Sequence, residues 1–183
     1  MNDFGVITQP GTLRLERVLP GPIERVWAYL TDSDKRGTWL ASGEMELHVG
    51  GKVEHVFRNA DLTAPDDLPP PKYAQHAHES RMHGRVTACE PPRLLSYTWF
   101  EGNGEDSEVS FELSAHDGGN VLLVLTHRRL ASRDELLSVA AGWHAHVGIL
   151  IDRLSGRQPQ PFWSTHTRLE AEYARRIPAD PQA

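Results

Sequence analysis

Residues 132–154 read SRDELLSVAAGWHAHVGILIDRL, and the period of their apolar side chains decides the fold. At roughly 100° per residue, Leu136, Ala140, Trp143, Val147, Leu150 and Leu154 fall on one helical stripe, with Val139 and Ile151 beside it. Ser132 or Arg133 stands near the cap, Asp134 and Glu135 occupy the first turn, where the helix dipole favours carboxylates, and Gly156 follows the end. A helix over 134–154 follows, ~30 Å long at about 1.5 Å per residue. His144 and His146 land about 160° apart, on opposite edges of the stripe. Two ligands for one metal need a spacing of three or four residues on a helix, so this pair cannot hold one ion together. The stretch reads as a packing helix with one or both histidines at the solvent boundary.

Upstream the period changes to two. TLRLERVL sets Leu13, Leu15 and Arg17 against Arg14, Glu16 and Val18, a strand ended by Pro20. GPIERVWAYL then spaces Ile23, Val26, Trp27 and Leu30 as a short amphipathic helix with Pro22 at its start, and DSDKRGTWL adds a second, ending near Trp39. Six short alternating segments follow as hairpins: EMELHV and KVEHVF around Gly50 and Gly51, GRVTACE and RLLSYTWF around Pro91 and Pro92, SEVSFELS and NVLLVLTH around AHDGG. The expected class is α+β, an antiparallel sheet of six to seven strands curled around the long C-terminal helix, with two short helices after the first strand.

Two segments fall outside this pattern. Residues 60–81, rich in proline and polar side chains, are too long for a hairpin turn and read as a lid or a mobile loop. The tail PFWSTHTRLEAEYARRI predicts one more helix, packed on the outside. No repeat is present, and the 183 residues read as a single domain with a core over 12–155, an insertion at 60–81 and an extension at 156–183.

Composition narrows the function classes. The net charge of −6, without a cluster of lysine and arginine interleaved with aromatics, argues against nucleic acid. The lone Cys89 excludes an internal disulfide framework and suits a reducing compartment. The start lacks a basic flank followed by an apolar core, and no apolar run is long enough to insert in a membrane, so the expected location is the cytoplasm. His76, His78 and His83 form the one other histidine group, but no cysteine or acidic partner stands at diagnostic spacing; a solvated loop is expected, with no metal and no cofactor. No phosphate loop, GxSxG elbow or zinc-protease motif occurs, Cys89 sits mid-strand as an inert thiol, and the acid pairs Asp66/Asp67 and Glu105/Asp106 sit in loops where solvation is expected. No catalytic residue is assigned, and nothing demands an enzyme.

What remains is a lining. Alternation groups Val53, His55 and Phe57 in KVEHVF, Leu95, Tyr97 and Trp99 in LLSYTW, and Val121, Leu123, Leu125 and His127 in VLLVLTH. Facing the long helix, these sets meet Trp143 and Val147, and two imidazoles and a phenol become polar points in an apolar chamber, as in a pocket for a small ligand. A solid core of the same residues is the alternative.

The order of elements resembles the helix-grip fold of the START-like (SRPBCC) superfamily. More narrowly, PIERVWAYLTD, TWLASG, VGGKVE, EPPRLLSYTW, SEVSFEL, LTHRRL and AAGWHAHV are similar to the branch named for homologues of the activator of the heat-shock-protein-ninety ATPase, over residues 12–155. The resemblance implies a cavity between sheet and helix that binds apolar small molecules, with Trp39, Tyr97, Trp99, His127 and Trp143 on recurrent positions. Three functions stand open: noncatalytic binding of a small apolar or aromatic molecule in a cavity lined by Trp39, His55, Phe57, Tyr97, Trp99, His127, Trp143 and Val147; an interaction module for a chaperone or other protein in stress response; and a polyketide cyclase-like enzyme with His55 or His127 as general base. In each case the chain is expected to act as a monomer or homodimer.

Overall fold

The computed structural model describes residues 3–64, 68–99 and 106–179; Asp66, Asp67 and Glu105 lie outside them. The elements run β1 (Val6–Gln9), β2 (Thr12–Leu19), α1 (Ile23–Thr31), α2 (Ser33–Gly37), β3 (Lys52–Phe57), β4 (Ser80–Glu90), β5 (Leu94–Trp99), β6 (Ser107–His116), β7 (Asn120–Arg128), α3 (Arg133–Leu154) and α4 (Phe162–Arg176). Seven strands form one antiparallel sheet in the order β1-β2-β7-β6-β5-β4-β3, the α+β helix-grip arrangement.

Strand alternation sets the inner face. Leu13, Leu15, Arg17 and Leu19 of β2 point inward and lie opposite His127, Leu125, Leu123 and Val121 of β7. Val109 and Phe111 of β6 oppose His127 and Leu125, and then Tyr97 and Leu95 of β5. Slipping one residue would turn each row to solvent, so the apolar pattern fixes the register. Ser132 caps α3 by accepting from Glu135 N–H at 3.1 Å, and the Glu135 carboxylate accepts from Ala131 N–H.

Three details depart from expectation. EMELHV makes only the isolated bridge Met45↔Val53, and a second one, Ser42↔Val56, lies just before it. Gly43 has φ +119, and the backbone from Glu46 to Gly51 folds onto itself through His48 N–H to Glu46 O and Gly51 N–H to His48 O, so a ladder cannot continue. The seventh strand is instead β1, turned into β2 through Pro10 and Gly11; Gly11 has φ +69, and a Cβ there would lie 2.7 Å from the Leu130 carbonyl oxygen. Finally, α4 packs against α3 and buries Phe162, Trp163, His166, Leu169 and Tyr173, making it part of the core rather than an outer addition.

That packing corrects the reading of the α3 histidines. His146 is buried and donates Nδ1–H to the Trp39 carbonyl at 2.8 Å; His144 is half-buried with Nδ1 3.0 Å from the Tyr173 hydroxyl. His146 is not at a solvent boundary, because the chain after α2 and Phe162 of α4 cover that edge of the helix, whereas His144 stays partly exposed beside α4. The two rings bond to different elements, consistent with a packing helix.

Candidate functional site

Burial falls along the inner rows toward one end of the grip. Val53, His55, Leu95 and Tyr97 are sealed, whereas Phe57 and Trp99, at the ends of β3 and β5, are half-buried. There a cavity of about 670 Å³ opens between the sheet, α3, α4 and the 3₁₀ segment Pro71–His76. The sheet contributes Phe57, Trp99 and His127; α3 contributes Val139, Trp143 and His146; α4 contributes Phe162, Trp163 and His166. Trp99 meets Trp143 edge-on at 5.2 Å and Phe57 at 5.8 Å, an aromatic wall held by mutual packing.

The cavity lining includes Phe57, Trp99, His127 and Trp143 of the expected set. Trp39, His55, Tyr97 and Val147 stand behind it in the core. Trp39 is sealed and donates Nε1–H to the Tyr29 carbonyl at 2.8 Å. His55 Nε2 and the Tyr97 hydroxyl form a buried pair at 3.0 Å, and His55 Nδ1 has no protein partner. Burial, followed by the Arg36 charge and His146, holds His55 well below the ordinary imidazole range; burial pushes the Tyr97 phenol up. Arg36 is itself sealed and spends its guanidinium on the carbonyls of Ala41, Leu30, Thr31 and Gly43, which ties the loop carrying Trp39 beneath the site.

His127 is fully engaged. Trp143 Nε1–H donates to its Nδ1 at 2.9 Å, which leaves the proton on Nε2, directed to Ser107 Oγ at 2.7 Å; that hydroxyl donates to the Trp99 carbonyl at 3.1 Å. Burial, then the Arg129 charge, lowers its pKa to about 3. An imidazole with both nitrogens committed and no tendency to protonate positions two tryptophans; it has no free lone pair for abstracting a proton.

The insertion is pinned rather than loose over its described part. Tyr73 stacks on Trp163 at 5.8 Å and meets His166 edge-on at 5.0 Å, while its hydroxyl donates to Glu170, which also pairs with Lys72 at 2.6 Å. Phe162 N–H donates to Thr63 Oγ1 at 3.0 Å. The sequence reading missed Phe162, Trp163, His166 and Tyr73 as lining; the spacing of Phe162, Trp163, His166 and Leu169 within the tail already marked one apolar face of a helix.

Among the described residues no group of three or more histidines, cysteines or acids could hold a metal ion, and no helix is long and apolar enough to cross a membrane. Cys89 is half-buried in β4, and burial pushes its thiol up, away from the reactive thiolate.

The sequence profile of the family described as Activator of Hsp90 ATPase homolog 1-like protein matches residues 71–154. Among solved structures, the protein encoded by gene BPP1335 of Bordetella parapertussis is 45% identical over 97% of this chain and 92% of its own, with a TM-score of 0.80. CalU16 of Micromonospora echinospora is 22% identical over 90% of this chain and 86% of its own, with a TM-score of 0.64. DynU16, a protein in the dynemicin biosynthetic locus, is 20% identical over 84% of this chain and 50% of its own, with a TM-score of 0.64. The last two are similar in fold alone. Among curated proteins none matches the chain.

Proposed function

The chain belongs to the family of activator of Hsp90 ATPase homolog 1-like proteins, and from that premise we propose that it is a noncatalytic binding protein for a small apolar or aromatic molecule, held between the sheet and the long helix. The observation that carries this reading is the cavity of about 670 Å³ walled by Phe57, Trp99, Trp143, Phe162 and Trp163. Its volume lies within the range of small-molecule pockets, and an aromatic wall interrupted by polar side chains, here Asn59, Gln75, Arg81 and Ser138 among others, suits a ligand of mixed character. The ligand contacts Phe57, Trp99 and Trp143; Trp39, His55, Tyr97 and Val147 stiffen the wall from behind, and His127 sets the indole of Trp143. The reducing cytoplasm suits a chain with one cysteine.

The cyclase-like reading has less support. His127 has no free nitrogen, and His55 is sealed behind the lining. The chaperone-regulator reading draws on the family alone. Titration with an environment-sensitive apolar dye, followed by fluorescence, tests the proposal: saturable binding competed by naphthalene and weakened by Trp99→Ala is expected, while Arg14→Ala on the outer face leaves it unchanged. Absence of saturable binding by any apolar aromatic probe overturns the binding-protein reading.

A further inference from the structure

We propose that His146 is the polar anchor of the cavity, its Nε2 lone pair accepting a hydrogen bond from a hydroxyl on an otherwise apolar ligand; this rests on the cavity being a binding site. A carbonyl only accepts, so the 2.8 Å contact between His146 Nδ1 and the Trp39 oxygen requires the proton on Nδ1. Nε2 of the neutral ring is then a bare acceptor. It makes no hydrogen bond among the described residues, it is not enclosed by protein, and His146 lines the cavity. The cavity therefore reaches it. Phe162 packs against the ring at 4.7 Å, and Arg36 ties down the loop that carries the Trp39 carbonyl, so both tautomer and ring plane are fixed before a ligand arrives.

Several other polar groups of the lining are engaged, enclosed or at the rim, and Asn59 Oδ1 is enclosed without a partner. His127 has both nitrogens committed. His166 donates to the Ser138 carbonyl, and its Nδ1 is enclosed, 3.8 Å from Glu170. Gln75 and Arg81 belong to the exposed rim, and Arg81 is already paired with Glu54 and Glu79 at 2.8 and 2.9 Å. Among the described residues Arg81 is also the only lysine or arginine in the lining. A carboxylate would bring lone pairs toward a lone pair with no free cation to offset its desolvation. A phenol or alcohol brings the proton that Nε2 lacks. The ligand class is accordingly an aromatic or alicyclic hydroxyl compound rather than an acid or a pure hydrocarbon.

The experiment compares 2-naphthol, naphthalene and 2-naphthoate at pH 7.5 by displacement of the dye from the full chain. Wild type is expected to bind 2-naphthol about three- to tenfold more tightly than naphthalene, the contribution of one hydrogen bond, and 2-naphthoate more weakly than 2-naphthol. In His146→Phe the preference for 2-naphthol disappears while naphthalene binds as before; in His146→Gln, which keeps an acceptor, part of it returns. Equal affinity for 2-naphthol and naphthalene in wild type, a preference that persists in His146→Phe, or tightest binding of 2-naphthoate overturns the anchor and leaves the cavity reading intact. Failure of all three probes to bind overturns the cavity reading itself. Should His146→Phe not fold, the long-range 1H–15N spectrum of wild type decides: Nε2 must resonate as an unprotonated nitrogen and shift on adding 2-naphthol but not naphthalene, and a protonated Nε2 in the free protein refutes the proposal.

Discussion

The Trp143 indole donates to His127 Nδ1 at 2.9 Å, joining the middle of α3 to the end of β7 with the one hydrogen bond an indole can give. Both residues are buried, so the bond is formed away from competing water. Trp143→Ala is expected to cost about 3 to 5 kcal/mol, since it removes the edge-on contacts with Trp99 and Phe111 and leaves a void. Trp143→Phe keeps much of that packing and loses less, about 1 to 3 kcal/mol, chiefly from stranding the His127 acceptor. Urea denaturation checks both; an unchanged midpoint for Trp143→Ala removes this contact from the core.

Acid should destabilise the fold before the carboxylates titrate. An unfolded histidine binds a proton near pH 6.5, whereas burial lowers His127 to about 3 and His146 and His144 to about 4 in the fold. Between those values the unfolded chain holds more protons, so stability is full above pH 6.5 and falls as pH drops toward 4. Each such histidine contributes a slope of up to about 1.4 kcal/mol per pH unit. Urea midpoints are expected to fall from pH 7 to pH 5, with a shallower slope in His127→Gln; equal midpoints at the two pH values contradict the neutral buried rings.

The inner rows were legible in the sequence because strand alternation is local: Val53, His55 and Phe57 take the same face whatever the rest of the chain does. The depth of each residue was not. Whether Tyr97 touches the cavity or lies behind it depends on how far the grip closes, and whether His146 meets solvent depends on where α4 docks. Both are set by long-range packing that no window of sequence contains. The short strand β1 was missed, although proline followed by glycine in QPGT favours a tight reversal and offered a signal for it.

Arg36 is expected to resist conservative replacement. Its guanidinium reaches four carbonyls from a sealed position and forms no ion pair among the described residues, and only a fork with five donors covers them. Arg36→Lys should lose about 2 to 4 kcal/mol, because an ammonium leaves some of those carbonyls unpaired at about 1 kcal/mol or more each. Thermal unfolding checks this. A melting temperature equal to wild type means that water satisfies the carbonyls and that the loop carrying Trp39 does not depend on Arg36.

The contact between the insertion and α4 separates retention of a ligand from stability of the fold. Lys72 is 58% exposed, so its pair with Glu170 is worth little, about 1 kcal/mol at most, and Lys72→Ala should leave both properties nearly unchanged. Tyr73 does more: its ring stacks on Trp163 and meets His166, closing the cavity on the side of α4, and its hydroxyl is anchored on Glu170. Tyr73→Ala removes a wall that belongs to a 3₁₀ segment outside the sheet and the long helix, so the melting temperature should move by only a few degrees. Dye dissociation, measured by stopped flow, should accelerate severalfold, with a smaller change in the association rate, as expected when a partial cover is taken away. Tyr73→Phe keeps the stack and loses the anchor, and should fall between the two. If Tyr73→Ala releases the dye at the wild-type rate, the ligand leaves by another side of the cavity and the insertion is no lid.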